Sequence, residues 1–441
     1  MGRRLALHGG QKVVPDELKV RWPVVTQTDK DAVMEVLDSG ILWAMSAEDG
    51  SLLAPQMLAL ESEFARYLDV KHALAVNGGT SALHMAVAAA GVGPGDEVIT
   101  TAFSFVATAA AILHHNAIPI FVDIDPRTYN IDVSRIEEKI TPRTKAIIPV
   151  HIHGLPADMD EIWALARKYE LAVIEDACQA PGAYYKGRRT GSLGHMAAFS
   201  LNGTKNFGIG EGGLFTTNDD DFRDRANMFR QVGESLPSND GGSRYQHLLA
   251  WNYRAQETQC ALARSLLRRL DEVNGLGQRN AAYLTKHLAD LPGITPPYIP
   301  SDRTSVFHKY RVRLEPEALG IKILPIKFRE AVRTALLAEG VDVVLWQTSS
   351  MPALPMFQTM AGYGQGYPWT NGASSQKYVY RIEDYPETNR LLDCSLVIGS
   401  EFHPVYCQSP KLMECYVEAI AKVFSSLEAI VDGAERYTTA Y

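Results

Sequence analysis

From residue 72 to 217, short apolar, β-rich runs at 73–76, 97–101, 118–122, 146–150, 172–174 and 214–217 alternate with helical patterns such as 81–90 and 159–169. That alternation predicts an α/β fold built on a mostly parallel sheet covered by helices. Ligands of such sheets lie beyond the carboxyl ends of the strands, so chemistry is expected in the residues just after each run.

At 441 residues, 46 % of them hydrophobic, the chain suits two domains, each with its own core. Residues 258–288 read as one or two long helices leaving the first domain, which places a boundary near residue 270: an N-terminal arm and large domain over 1–270, and a smaller C-terminal α/β domain over 271–441 carrying the patterns 306–314, 328–339 and 411–431. The Gly-, Tyr-, Pro- and Ser-rich stretch 352–381 is too long for a routine connection. Its Tyr363, Tyr367 and Trp369 favour a packed, substrate-facing loop, with contact to a partner chain as the alternative. A net charge of -8 without a basic cluster argues against nucleic acid or an anionic membrane as partner. Five scattered cysteines, none in a C-x-x-C pair, indicate neither a disulfide framework nor a cysteine zinc site. The N-terminus lacks an apolar signal core and no apolar run approaches eighteen residues, so the expected location is the cytoplasm.

Several strand-end segments carry reactive groups. Asn77-Gly-Gly-Thr-Ser81 follows the first run and opens a helix, so its backbone N–H groups and the Thr80 hydroxyl can cradle a phosphate, or else form an ordinary capped turn. Phe103-Ser-Phe105 puts aromatics at the sheet mouth, where Phe105 either stacks on a flat ring or packs in a core. Ile174-Glu-Asp-Ala-Cys-Gln179 ends a buried strand: Asp176 is costly to leave unpaired there and suits a protonated pyridine nitrogen, and Gln179 reaches a neighbouring ring oxygen. The plain alternative for Glu175-Asp176 is an acidic first turn of a helix. Lys205, in Ala198-Phe-Ser-Leu-Asn-Gly-Thr-Lys-Asn-Phe-Gly-Ile-Gly-Glu-Gly-Gly213, reads as a Schiff-base lysine for pyridoxal phosphate, with Ser200 joining the phosphate cradle. Alone, that lysine reads more readily as a solvated loop residue; the other motifs in order reverse that. Gly208-Ile-Gly-Glu-Gly-Gly213 matches G-x-G-x-x-G but precedes a strand, against a dinucleotide site. His151-Ile-His153 sets two imidazoles on one face of an extended segment, with His114-His115 upstream, but no third ligand follows at a recognisable spacing, so no metal is expected.

In this order the motifs resemble the DegT/StrS family of fold-type I pyridoxal phosphate aminotransferases, which act on keto sugars and keto cyclitols. The resemblance runs from about residue 22 to 431 through Asn77-Gly-Gly-Thr-Ser-Ala-Leu-His84, Gly93-Pro-Gly-Asp-Glu-Val98, Phe103-Ser-Phe-Val-Ala-Thr108, Val122-Asp-Ile-Asp125, Gly154-Leu-Pro-Ala-Asp158, Glu175-Asp-Ala-Cys-Gln-Ala180 and Asn252-Tyr-Arg254. It implies a large domain with a seven-stranded type of sheet, Lys205 bound to the cofactor aldehyde, Asp176 at the ring nitrogen, Gln179 at the ring oxygen, Phe105 stacking, and Gly79, Thr80 and Ser200 on the phosphate. It also implies a homodimer with shared active sites, in which Asn252 reaches the neighbour's phosphate. The implied reaction moves an amino group from L-glutamate or L-glutamine to a keto sugar or keto cyclitol. Arg254 stands as a candidate for the donor carboxylate, and His308, Trp346 and Gln347 for the substrate. Two departures mark this chain: Gly78 stands where many members have Ser, and Val344-Leu-Trp-Gln-Thr-Ser-Ser-Met-Pro352 replaces the usual segment after Gly340, which favours a compact keto polyol over a nucleotide sugar. The alternatives are an aminohydroxybenzoate-synthase-like dehydratase acting on an amino cyclohexenone, which keeps the lysine, and a non-catalytic cofactor-binding partner or regulator.

Overall fold

The computed structural model describes residues 4–46, 52–234, 246–370 and 377–431. Its main sheet has seven strands, β1 (His72–Val76), β2 (Glu97–Thr101), β3 (Ile118–Val122), β4 (Thr144–Ile148), β5 (Ala172–Asp176), β6 (Met196–Ser200) and β7 (Gly213–Thr217), in the order β1-β7-β6-β5-β4-β2-β3. All neighbours pair parallel except β7, which runs against both β1 and β6. Alternate residues feed two cores, as the two-residue period of a doubly covered strand requires. Leu74, Val76, Met196, Ala198 and Phe215 lie under the helix Gly79–Ala89, whereas Ala73, Ala75, Phe199 and Leu214 join Leu60 and Phe64 on the other face.

Two strands depart from the sequence pattern. β6 is absent from the six runs read above because Met196-Ala-Ala-Phe-Ser200 has little strand preference of its own; pairing to β5 and β7 on both sides makes it a strand. β4 covers Thr144–Ile148, not 146–150, because Pro149 has no N–H to give the ladder, although Val150 still bridges to Asp176.

A second sheet holds β8 (Ile294–Thr295), β9 (Tyr310–Leu314), β10 (Val343–Val344) and β11 (Ser395–Ile398), in the order β8-β9-β11-β10 and antiparallel throughout. Phe328 and Val332 of the helix Pro325–Ala338, and Leu412, Tyr416 and Ile420 of Pro410–Phe424, complete its core. The helix Leu270–Leu288 begins in a core of the main sheet with Leu270 and ends in the second with Leu284 and Leu288. Leu5 and Val14 of the N-terminal arm also pack into the second core, and Val14 N–H donates to Glu339 O at 3.0 Å. The start of the arm therefore packs with residues after 270, while Trp22 further along joins the core of the large sheet.

The 352–381 insertion closes over edge strand β3. Its Phe357, Trp369, Tyr378 and Tyr380 form a core with Leu113, Ile118 and Phe121. Tyr380 hydroxyl donates to Pro119 O at 3.0 Å and Tyr378 hydroxyl to Glu97 Oε1 at 3.0 Å. An otherwise open edge is thus covered. Residues 371–376 of the insertion lie outside the described residues.

Candidate active site

Strand register assembles the site. Val76, Gly213 and Ser200 lie in one row across β1, β7 and β6, and Asp176 pairs with Ala198 on the neighbouring strand. The chain ends after β1, β5 and β6 therefore meet at one edge of the sheet. Two glycines make the approach possible. A Cβ on Gly79 would stand 2.8 Å from Ser200 Cβ and 3.1 Å from Cys178 Sγ, and one on Gly213 would stand 2.5 Å from the carbonyl carbon of Gly78.

A cavity of about 440 Å³ opens at this edge. At one end, the helix Gly79–Ala89 starts at residue 79, two residues earlier than its sequence pattern, and has no side-chain cap. Its free N-terminal N–H groups, Thr80 and Ser200 face the same space, a ready anion site. In the floor, Asp176 is 4 % exposed. Its Oδ2 accepts from the Thr108 hydroxyl at 2.7 Å and its Oδ1 from Cys178 N–H at 3.2 Å, and Ser104 holds Thr108 at 3.0 Å. Among the described residues no cation pairs with Asp176, so a buried charge awaits a partner.

Lys205 stands on the loop between β6 and β7, whose backbone is pinned from three directions. Its own N–H donates to Asn202 O at 2.9 Å, Trp22 Nε1 of the arm donates to Lys205 O at 3.1 Å, and Tyr406 hydroxyl donates to Thr204 O at 2.9 Å. The ammonium makes no hydrogen bond among the described residues. Burial pushes it below the ordinary lysine range; Cys178 and Asp176 oppose that shift, and the charge of Lys309 adds to it. A lysine so placed is closer to a nucleophilic amine than a solvated one.

Phe105, 54 % exposed, walls the mouth. Gln179 is buried, and its Oε1 accepts from His153 N–H at 2.9 Å. The second sheet supplies the opposite wall: His308 and Lys309 just before β9, Trp346 after β10 and Glu401 after β11. Burial, followed by the charges of Lys205 and Lys309, drives the His308 imidazole well below its usual value, and its buried Nδ1 has no partner among the described residues. Lys309 pairs with Glu401 at 3.1 Å.

Three candidates from the sequence do not line this cavity. Asn252 is exposed, and Arg254 bridges Val76 through its backbone, because the segment 252–254 runs along the outer edge of β1. Gln347 follows Trp346 in a left-handed conformation (φ 59°) and lies outside the lining. No described residue of the 352–381 insertion lines it either, although the expected packing of that loop is present. His151 and His153 are not on one extended face. His151 precedes the tight turn Ile152–Gly154 and His153 lies inside it at φ 56°; His151 meets Glu175 at 2.8 Å, while His153 Nε2 accepts from Arg311 at 3.0 Å. Thr108, Lys309 and Glu401 went unread in the sequence. Only Thr108 left a signal, four residues after Ser104 at a helix start.

The family model of the DegT/DnrJ/EryC1/StrS aminotransferases matches residues 26–385. The chain belongs to that family. This aminotransferase is 39 % identical over 324 residues to GDP-perosamine synthase of Caulobacter vibrioides, covering 70 % of this chain and 84 % of that one. It is 36 % identical over 347 residues to a putative L-glutamine:3-amino-2,3-dideoxy-scyllo-inosose aminotransferase of Streptoalloteichus tenebrarius, covering 78 % and 80 %. The crystal structure of 3-amino-5-hydroxybenzoic acid synthase superposes with a TM-score of 0.79 at 25 % identity, over 93 % and 99 % of the two chains. Aminotransferases of this family depend on pyridoxal phosphate and act on small-molecule donors and acceptors. The residues of this aminotransferase fit that cofactor. An uncapped helix start suits its phosphate, an unpaired buried carboxylate its ring nitrogen, and an unpartnered lysine its aldehyde. Among the described residues no helix is long and apolar enough to cross a membrane.

Proposed function

We propose that this aminotransferase moves an amino group from L-glutamate or L-glutamine to a keto sugar or keto cyclitol, with pyridoxal phosphate held in this cavity. The observation that carries the reading is the pairing, in one space, of a buried carboxylate lacking a cation with a lysine lacking a partner. When bound, the cofactor carries the amino group and its protonated ring draws electron density from the bond that breaks. Asp176, braced by Thr108, keeps that ring protonated. Gly79, Thr80 and Ser200 hold the phosphate, Phe105 covers the ring and Gln179 meets its oxygen. Lys205 Nζ takes the proton from the donor's Cα and later delivers one to the acceptor carbon.

The same proposal takes the chain as two domains dividing near residue 270, joined by the helix that enters both cores. It also takes the active unit as a homodimer. Asn252 is exposed at the β1 edge, and Trp43 and Leu249 expose large apolar surface, Leu249 at 87 %. Asn252 then serves the neighbour's phosphate and Arg254 lies beside it.

Release of a 2-oxo acid from L-glutamate or L-glutamine in the presence of keto polyols tests the reading. Lys205→Ala should abolish it while the dimer persists on size-exclusion chromatography; unchanged turnover would sink the assignment. The likeness to 3-amino-5-hydroxybenzoic acid synthase supports a second reading, a dehydrating and aromatising reaction on an amino cyclohexenone. That reaction would lose water from its substrate and consume no donor.

A further inference from the structure

A transaminase site must accept an amino acid carrying a carboxylate in one half-reaction and an acceptor in the other. Resting on the functional reading above, we propose that the Lys309–Glu401 pair lets one cavity do both for an uncharged keto polyol. Lys309 binds the donor's α-carboxylate. Glu401 returns to Lys309 when the acceptor is bound, and its free oxygen accepts hydrogen bonds from acceptor hydroxyls.

The argument is one of charge and mobility. Among the described residues lining the cavity, Lys309 is the one cation besides Lys205, which the chemistry occupies. Arg311 lies behind the wall, buried and spent on His153 Nε2 at 3.0 Å and on Ser395. The Lys309 side chain is 3 % exposed, beside the first residue of β9, and of its three donors one meets a described protein partner, Glu401 Oε1 at 3.1 Å. A buried ammonium in that state is costly to leave without an anion. The Glu401 side chain is 41 % exposed on the turn after β11, so it can leave and return at low cost while Lys309 stays fixed. The other carboxylates of the lining are engaged, Glu211 with Asn202 Nδ2 at 2.9 Å and Asp176 with Thr108. An anionic donor therefore competes with Glu401 for Lys309, and a neutral acceptor does not.

The experiment is calorimetric titration of the holoenzyme with glutarate, a dicarboxylate without an amine, alongside separate rates for the donor and acceptor half-reactions. Lys309→Gln should weaken glutarate at least tenfold and slow the donor half-reaction, and Lys309→Arg should recover part of both. Glu401→Gln, which removes the competitor, should tighten glutarate severalfold while raising the acceptor KM. These opposite signs are the signature, since a merely structural pair would weaken binding in both variants. Equal weakening, or no change, overturns the proposal. If Lys309→Gln fails to fold, Glu401→Gln alone decides it: tightening supports the pair and weakening refutes it. If the two variants show these signs yet the wild-type enzyme transfers no amine from any donor, the functional reading is refuted and the carboxylate anchor is left standing.

Discussion

Asp176 ends its strand with a charge that the folded chain answers with a hydroxyl and an N–H but no cation. Removing that charge should have two effects of opposite sign. Asp176→Asn should stabilise the cofactor-free protein by about 1 kcal/mol, because an unpaired buried carboxylate is costly. It should also lower turnover about 100-fold or more, because the ring nitrogen loses the group that keeps it protonated. Melting with and without pyridoxal phosphate, together with donor-driven turnover, checks both. Asp176 and Gly79 were legible in the sequence because each lies just past an apolar run, where a parallel sheet places its chemistry, and Lys205 because it stands between a hydroxyl-bearing turn and a run of glycines. Lys309 and Glu401 were not, since 92 residues separate them and each becomes a site residue only when the second sheet closes on the first.

At the scale of elements, the helix Gly79–Ala89 ties the anion site to the sheet. Gly79→Ala would force its new methyl to within 2.8 Å of Ser200 Cβ, so a loss of about 1–3 kcal/mol and weaker cofactor binding are expected. Denaturant unfolding and cofactor titration measure the two. Further along the same helix, His84 holds Tyr253 hydroxyl at 3.0 Å and His115 at 3.2 Å. Burial, then the charges of His115 and His114, push the His84 imidazole down to about 3 from 6.5. The unfolded chain therefore takes up a proton near pH 6.5 that the folded chain refuses until about pH 3, and stability falls as pH drops through that window. The slope from one such group is at most about 1.4 kcal/mol per pH unit. His84→Gln should flatten the fall between pH 6.5 and 4.5, and an unaltered slope in urea unfolding would contradict it. No described residue of the insertion over β3 lines the cavity, so Tyr378→Phe should cost about 1 kcal/mol of stability and leave kcat and KM unchanged. A shift in KM would return that loop to the substrate. Its aromatic content announced packing, but which face it would cover depended on the edge position of β3, which no local pattern encodes. β6 was legible only as a short apolar run, for the same reason: its partners make it a strand.

At the scale of the whole molecule, the proposed shared site makes a stoichiometric prediction. Lys205→Ala and Asn252→Ala dimers should each be nearly inactive. Mixed by unfolding and refolding in equal amounts, they should regain about a quarter of wild-type activity, because half the dimers are mixed and each mixed dimer holds one intact site. No recovery would mean that Asn252 serves its own chain, and an active Asn252→Ala dimer that it serves neither. The central claim, that Lys205 carries an aldehyde cofactor and surrenders it to an amino donor, is tested most directly by borohydride reduction followed by peptide mass analysis. The enzyme reconstituted with pyridoxal phosphate is reduced with and without prior exposure to L-glutamate or L-glutamine. The account predicts a pyridoxyl group on Lys205 before the donor and its loss after either amino acid. A label on another lysine, or no label at all, would contradict it.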